Sequence, residues 1–263
     1  MDLDLTGKRA LVSGSTRGIG FATALGLARM GAAVVINGRT KESTDGALAS
    51  LKEKLDGRFE PAPGDLATLE GTNAVIATCG EIDILVNNLS IYDVKAFQDI
   101  SDSDWQTYFD TNIMSGLRLT RYFLPKMLKK NWGRIVFISS ESGINIPDEM
   151  IHYGVTKAAQ LALARGCAEL TKGTGVTVNS VLPGPTWVEG LAEKFERRAK
   201  AQNTTVEALQ KQMFAQRRPT SLLQRFESAQ EVANLICYVC SSAASATNGS
   251  GLRCDGGIVR LPF

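Results

Sequence analysis

Tyr153 and Lys157 stand four residues apart in IHYGVTK, residues 151–157, which also holds the chain's one histidine, His152. On a helix that spacing puts two side chains on one face, a turn apart. A free tyrosine, with a pKa of about 10, exchanges protons poorly at neutral pH. An ammonium ~4 Å away, at an effective dielectric of ~20, contributes about 4 kcal/mol and lowers the phenol by up to roughly three units. The pair therefore predicts general acid–base chemistry near neutrality. Ser140 follows the apolar run RIVFIS (134–139), where its hydroxyl can hydrogen-bond a substrate oxygen and stabilise the charge that develops there. His152 points off the reacting face and is expected to take no direct part in proton transfer.

A second group of residues predicts a ligand. The run RALVSG (9–14) leads into SGSTRGIG (13–20) and then into the helical pattern FATALGLARM. Gly14, Gly18 and Gly20 at a strand-to-helix turn let backbone N–H groups approach a pyrophosphate, and the helix N-terminus adds partial positive charge. Gly14, Ser15, Thr16, Arg17, Gly18, Ile19 and Gly20 are thus expected to hold a dinucleotide. The G-x-x-x-G-x-G spacing differs from G-x-G-x-x-G and lacks the G-K-[ST] of a triphosphatase loop. In INGRTKES, which ends the second strand, no acid stands at Asn37 or Gly38 to take a ribose hydroxyl. Arg39 and Arg17, with Lys41 able to share the task, suit a 2′-phosphate instead, so the expected cofactor is NADP(H).

These residues need a frame, and the sequence indicates one. Five β-branched or apolar runs (9–14, 32–37, 82–87, 134–139 and 176–182) alternate with helix-length segments. That pattern predicts a doubly wound α/β fold, a parallel sheet with helices on both faces, in a single domain over 1–263. A helix should start at Ser101, and helices should end at glycines such as Gly31 and Gly133. Residues 186–225 are charged and helical with no strand expected, and read as an insertion covering the substrate.

Composition narrows the partners. The 29 Lys and Arg against 27 Asp and Glu leave a net charge of +2, too little to predict nucleic acid or an acidic membrane surface. No apolar run is long enough to span a membrane, and MDLDLTGKR does not resemble a signal peptide, so a cytoplasmic location is expected. The five cysteines suggest no disulfide framework, and no metal site is expected. Cys237 and Cys240 fall in a helical pattern capped by Ser228 and Glu231, and read as core residues.

The order of motifs resembles the short-chain dehydrogenase/reductase family across nearly the whole chain. It runs SGSTRGIG, GDLA with Asp65, NNLS (87–90), Asn112 in DTNIMSG, ISSESG with Ser140, YGVTK, LPGPT (182–186) and CDGG. The resemblance implies a seven-stranded Rossmann fold and a catalytic tetrad of Ser140, Tyr153, Lys157 and Asn112. It further implies that the tyrosine protonates a carbonyl oxygen, that the lysine also holds the nicotinamide ribose, and that the asparagine keeps a water linking the lysine to solvent. Asp65 would contact adenine, Leu66 and Asn87 would line the cofactor, and the backbone at Pro183 and Gly184, with Thr186, would hold the nicotinamide amide. Two positions depart from the family pattern: Leu89 and Ser90 stand where alanine and glycine are usual, and Ser13 replaces a threonine.

Among family members the chain is similar to 3-oxoacyl-[acyl-carrier-protein] reductases. Substrate recognition is expected from Glu141, the loop 144–150, Trp187 and the insertion. Arg197, Arg198, Arg217 and Arg218 could receive an acyl carrier protein, although a solvated helical face is the simpler reading. Lys126, Lys129 and Lys130 read as surface. The resemblance also suggests a homotetramer built on the helices starting near 101 and 150 and on the C-terminal strand. The expected activity is hydride transfer between NADP(H) and a ketone or secondary alcohol. Two alternatives are a catalytically silent NADP(H)-binding sensor, which has no need of the intact Ser140, Tyr153 and Lys157, and a lyase resembling halohydrin dehalogenases, against which Lys157 and the glycine turn both count.

Overall fold

The computed structural model describes residues 3–262. The first half of the chain runs β1 (Arg9–Val12), α1 (Gly18–Arg29), β2 (Ala33–Gly38), α2 (Lys41–Lys54), β3 (Phe59–Pro63), α3 (Leu69–Cys79) and β4 (Ile84–Asn87). It continues through α4 (Asp102–Tyr108), α5 (Ser115–Lys130), β5 (Gly133–Ile138), α6 (Ile151–Glu169), β6 (Val176–Pro183) and β7 (Thr186–Trp187). The last elements are α7 (Glu189–Ala201), α8 (Val206–Arg217), β8 (Glu227–Ser228), α9 (Ala229–Cys240) and β9 (Gly251–Cys254).

Seven strands form one parallel sheet in the order β3-β2-β1-β4-β5-β6-β9, the doubly wound arrangement that the alternation of strands and helices predicts. Successive side chains of a strand point to opposite faces, and both faces are buried here. Leu11, Val35, Leu85, Ile135 and Phe137 pack with Leu119 and Phe123 of α5 and Ala164 of α6. Their neighbours Val12, Val34, Ile36, Val86 and Val136 pack on the other side with Leu25 of α1 and Val232 and Ile236 of α9. The strand order reverses between β1 and β4, where Val12 lies opposite Val86. In open sheets of this kind ligands bind beyond the strand ends at that reversal. The glycine turn and Asn87 both sit there.

Several sequence expectations change in detail. β9 is the C-terminal strand that the family resemblance implies, but β3 was not legible as a strand: it carries Pro61 and Pro63, which a sheet tolerates at an edge, and β3 is an edge strand. Gly31 does follow α1, with φ of 94°, but Gly133 does not end α5. That helix ends at Asn131 in the left-handed region (φ 54°), and Gly133 opens β5. The insertion is helical in α7 and α8, yet it begins with a strand: Thr186 and Trp187 pair with Glu227 and Ser228. Trp187, Phe195, Phe214 and Phe226 give it an aromatic core of its own.

The expected caps are present. Ser101 accepts from the Asp104 N–H at 3.2 Å, and Ser228 and Glu231 form a capping box on α9. Cys237 and Cys240 are buried in the α9 core, and burial pushes the Cys237 thiol up to about 12, which makes it a poor nucleophile. Among the described residues no helix is long and apolar enough to cross a membrane.

Candidate active site

The nucleotide turn is built from steric necessity. Gly14 and Gly18 both take φ of 59°, a conformation in which side chains are strained. A Cβ on Gly20 would lie 2.5 Å from Asn88 Nδ2 and 2.6 Å from the Gly14 carbonyl. Asn88 pins the turn by donating from Nδ2 to the carbonyls of Ser13 and Gly14 at 2.9 and 3.0 Å. Ser13 Oγ receives the N–H groups of Asn88 and Leu89, so the hydroxyl at this position ties the end of β1 to the chain that follows β4. Leu89 closes against the turn, its Cα 3.2 Å from where a Gly14 side chain would begin. Arg17 N-caps α1 without a side-chain hydrogen bond, and the first turn holds no acidic residue, leaving its N–H groups to an anion.

At the ribose end the residues also fit a nucleotide. The Asn37 side chain faces inward, accepting from the Gly14 N–H at 3.0 Å and donating to the carbonyls of Ala62 and Gly64. A side chain on Gly38 would meet Thr16 Cγ2 at 2.5 Å and Ser43 Oγ at 2.7 Å, which excludes a carboxylate there. Arg17 and Arg39 are exposed. Asp65 accepts from the Ala67 N–H at 3.0 Å, and Leu66 is fully buried, so only its backbone can border a ligand. Asn87 donates from Nδ2 to Thr120 Oγ1 at 3.1 Å while its Oδ1 is buried with no hydrogen-bond partner among the described residues. Gly184, just past Pro183, accepts from Thr186 Oγ1 at 3.0 Å. Val188 crosses the glycine turn, 3.2 Å from where a Gly18 side chain would begin. The start of the insertion therefore lies over the nucleotide turn.

Beyond the ends of β5 and β6 the structure brings Ser140, Tyr153 and Lys157 together. Ser140 caps the short turn 141–143, its Oγ accepting from the Ser142 N–H at 3.1 Å, and its hydroxyl also hydrogen-bonds the Tyr153 phenol. Lys157 is 2% exposed, with Nζ 5.4 Å from the Tyr153 ring centroid and 2.8 Å from the Ile138 carbonyl. Burial lowers this ammonium to about 7. The phenol moves the other way: burial raises it well above its ordinary value of 10, and the Ser140 hydrogen bond only partly offsets this. The expectation of a phenol tuned to neutrality is corrected on that point. Desolvation of the ring outweighs the pull of its neighbours, and at neutral pH Tyr153 is a proton donor.

Asn112 is placed by a π-helical turn, residues Phe109–Met114, between α4 and α5. Such turns recur at functional sites because they redirect a side chain and a carbonyl. Its Oδ1 accepts from the Ile91 N–H at 2.8 Å, and its Nδ2 donates to Ile91 O and Thr156 Oγ1 at 3.1 and 3.0 Å. The Asn112 carbonyl accepts from Gln160 Nε2 at 2.6 Å, and Gln160 Oε1 accepts from Lys157 Nζ at 3.2 Å. The Gln160 side chain thus links the Asn112 carbonyl to Lys157 in this chain. Sequence reasoning missed Gln160, although its position one turn beyond Lys157 was a signal.

The remaining candidates separate into three environments. His152 is buried against Tyr108, with ring centroids 4.1 Å apart, on the α4 side and away from the phenol. Glu141 is 2% exposed and accepts from Arg218 Nε at 2.9 Å; burial raises its carboxyl and Arg218 opposes that rise. Trp187 is half-buried in the aromatic core of the insertion, with its ring centroid 5.1 Å from that of Phe226. Two further groups were not foreseen. Tyr92 meets the Tyr153 ring edge-on at 6.1 Å, and Glu227 is 3% exposed beside Gly184, where burial pushes its carboxyl up to about 8.

Known proteins resemble this chain in sequence and in fold. The chain is 48% identical to the uncharacterized oxidoreductase YvrD of Bacillus subtilis strain 168, over 99% of each chain. It is 32% identical to the 3-oxoacyl-[acyl-carrier-protein] reductase FabG of Aquifex aeolicus, covering 98% of this chain and all of the relative. The L-sorbose reductase of Gluconobacter frateurii, solved with NADPH and L-sorbose, superimposes with a TM-score of 0.92 at 29% identity, covering 99% of this chain and 100% of that one. The family model described as short chain dehydrogenase matches residues 8–199. With that match added to the sheet order, the glycine turn and the grouping around Tyr153, the chain belongs to the short-chain dehydrogenase family.

Proposed function

We propose that the protein is an NADP(H)-dependent oxidoreductase interconverting a ketone and its secondary alcohol. The observation that carries this reading is the convergence of the Ser140 hydroxyl, the protonated Tyr153 phenol and the buried Lys157 ammonium on one end of the sheet. When bound, the nicotinamide supplies or accepts the hydride. Ser140 orients the carbonyl oxygen by a hydrogen bond that strengthens as negative charge grows. Tyr153 releases its proton to that oxygen, and Lys157 stabilises the phenolate left behind. Gly14 to Gly20 would hold the pyrophosphate, and Arg17 and Arg39 the 2′-phosphate. The steric exclusion of an acid at Gly38 supports NADP(H), as does the NADPH bound to the L-sorbose reductase.

A small ketone is favoured over a carrier-bound thioester, because two of the four arginines that might dock a carrier are engaged internally, while Arg197 and Arg198 stay exposed on α7. Arg217 pairs with Glu149 at 3.1 Å and Arg218 with Glu141 at 2.9 Å. Glu141 and Trp187 border the substrate side in this reading. Assembly into a homotetramer through the helices starting near 101 and 150 and the C-terminal strand is supported by the exposed rings of Phe109, in the turn between α4 and α5, and Tyr122 of α5, and light scattering decides it. The function is tested by following NADPH and NADH consumption across ketones, hydroxyketones and 3-oxoacyl thioesters. Arg39→Ala should raise the KM for NADPH about tenfold or more, the size of one lost charge-assisted hydrogen bond, and leave that for NADH unchanged. A parent enzyme preferring NADH, with the preference intact in Arg39→Ala, would refute the cofactor assignment.

A further inference from the structure

Lys157 carries its charge in an unusual setting. It is 2% exposed, and burial is the one cause of its depressed pKa, with no carboxylate acting on it. The titratable and charged groups on the elements packed around α6 are engaged elsewhere or lie apart. Glu141 pairs with Arg218, Asp104 with Lys95 and Glu149 with Arg217. Asp110 lies near Arg118, and Arg134 donates to the carbonyls of Ser241, Gly133 and Gly175 at the far end of β5. Asp102 and Asp148 lie on the outer turns, and His152 and Tyr108 stack on each other. Among the described residues two neutral oxygens receive the ammonium: the Ile138 carbonyl at 2.8 Å and Gln160 Oε1 at 3.2 Å. Gln160 is the side chain of that pair.

The orientation of the Gln160 amide follows from its neighbours. The Asn112 carbonyl only accepts, so it takes the NH2 end at 2.6 Å, and the oxygen end must face Lys157, which only donates. Asn112 is itself fixed from three directions, by the Ile91 N–H, the Ile91 carbonyl and Thr156 Oγ1. Thr156 in turn donates to the Tyr153 carbonyl at 2.8 Å. The amide dipole is therefore held with its negative end on the ammonium, as a bond to the charged form requires.

We infer that Gln160 is a positioning residue of the catalytic site: its side-chain amide, anchored on the Asn112 carbonyl, keeps Lys157 charged and directed at the Tyr153 side of the cleft. This deepens the proposed reductase reading, since the charged lysine is what that reading uses. Removing the amide oxygen should make the buried ammonium harder to hold and lower its pKa. Returning an acceptor at the same reach should restore it.

The test reads Lys157 directly. Protein labelled with 13C-lysine is titrated from mildly acidic to mildly alkaline pH, and the Lys157 Cε signal is identified by its absence from Lys157→Met. Gln160→Met, close to glutamine in shape but without the amide, should titrate about one pH unit or more below the parent, the size of one lost hydrogen bond to a charged group. Gln160→Glu, which keeps an acceptor, should titrate at the parent value or above. The alkaline limb of NADPH-dependent ketone reduction should shift in the same directions. Identical lysine titrations in the parent and a folded Gln160→Met overturn the inference. Misfolding of Gln160→Met leaves Gln160→Glu to decide it: a titration below the parent there also overturns it. The NMR titration needs neither substrate nor nucleotide, so a parent that reduces no ketone would sink the proposed function while this question was still answered.

Discussion

Lys157→Met isolates the energetic cost of the site. The folded chain holds this lysine at about 7 against an ordinary value of 10.5. Between those values the unfolded chain binds a proton that the folded chain has lost, so folding stability rises with pH. The contribution is present above the unfolded value and disappears as pH falls toward 7, at about 1.4 kcal/mol per unit. Keeping the ammonium charged in the folded state thus costs up to about 5 kcal/mol near neutrality. The substitution relieves that cost but leaves the Ile138 carbonyl and Gln160 Oε1 without their donor, at about 1–3 kcal/mol each, so the two effects nearly cancel at pH 7. The slope is unaffected by this cancellation, because the lost hydrogen bonds do not titrate in this range. Urea unfolding of parent and variant, followed by tryptophan fluorescence, should show the parent gaining about 2–3 kcal/mol on the variant between pH 7 and 9. Parallel stability curves across that range would show that the buried ammonium is not depressed, and the reasoning would fail.

Two other substitutions probe the frame. Gly20→Ala places a methyl 2.5 Å from Asn88 Nδ2, so it should abolish measurable NADPH binding by fluorescence titration while the far-ultraviolet circular dichroism stays close to that of the parent. Glu227 has its carboxyl raised from 4.5 to about 8, so the folded chain binds a proton the unfolded chain lacks between those values. That contribution is full below pH 4.5 and lost as pH rises through 8. Glu227→Gln should accordingly gain stability on the parent from pH 5 to 8 in urea unfolding, with no further change above.

Much of this site was readable in the sequence because its elements are local. The glycine turn and the four-residue spacing of Tyr153 and Lys157 each declare their geometry within one turn of chain. Strands β1, β2, β4, β5 and β6 were legible because burial on both faces makes them continuously apolar. The misses are non-local. Pro61 and Pro63 hide β3 until its position at the sheet edge is known. Gln160 looks like a helix-surface amide until the π-helical turn presents the Asn112 carbonyl to it. The raised phenol is a matter of burial first, with the charges of Glu141, Tyr92 and Tyr108 adding to the rise, none of which the spacing of Tyr153 and Lys157 contains.

The account rests on Tyr153 as the proton donor to a carbonyl oxygen. Tyr153→Phe keeps the ring and removes the hydroxyl, so the kcat for NADPH-dependent reduction of the best ketone should fall about a hundredfold or more while the Kd for NADPH is unchanged. A Tyr153→Phe variant that reduces the ketone at the parent rate, with the nucleotide equally bound, would contradict it.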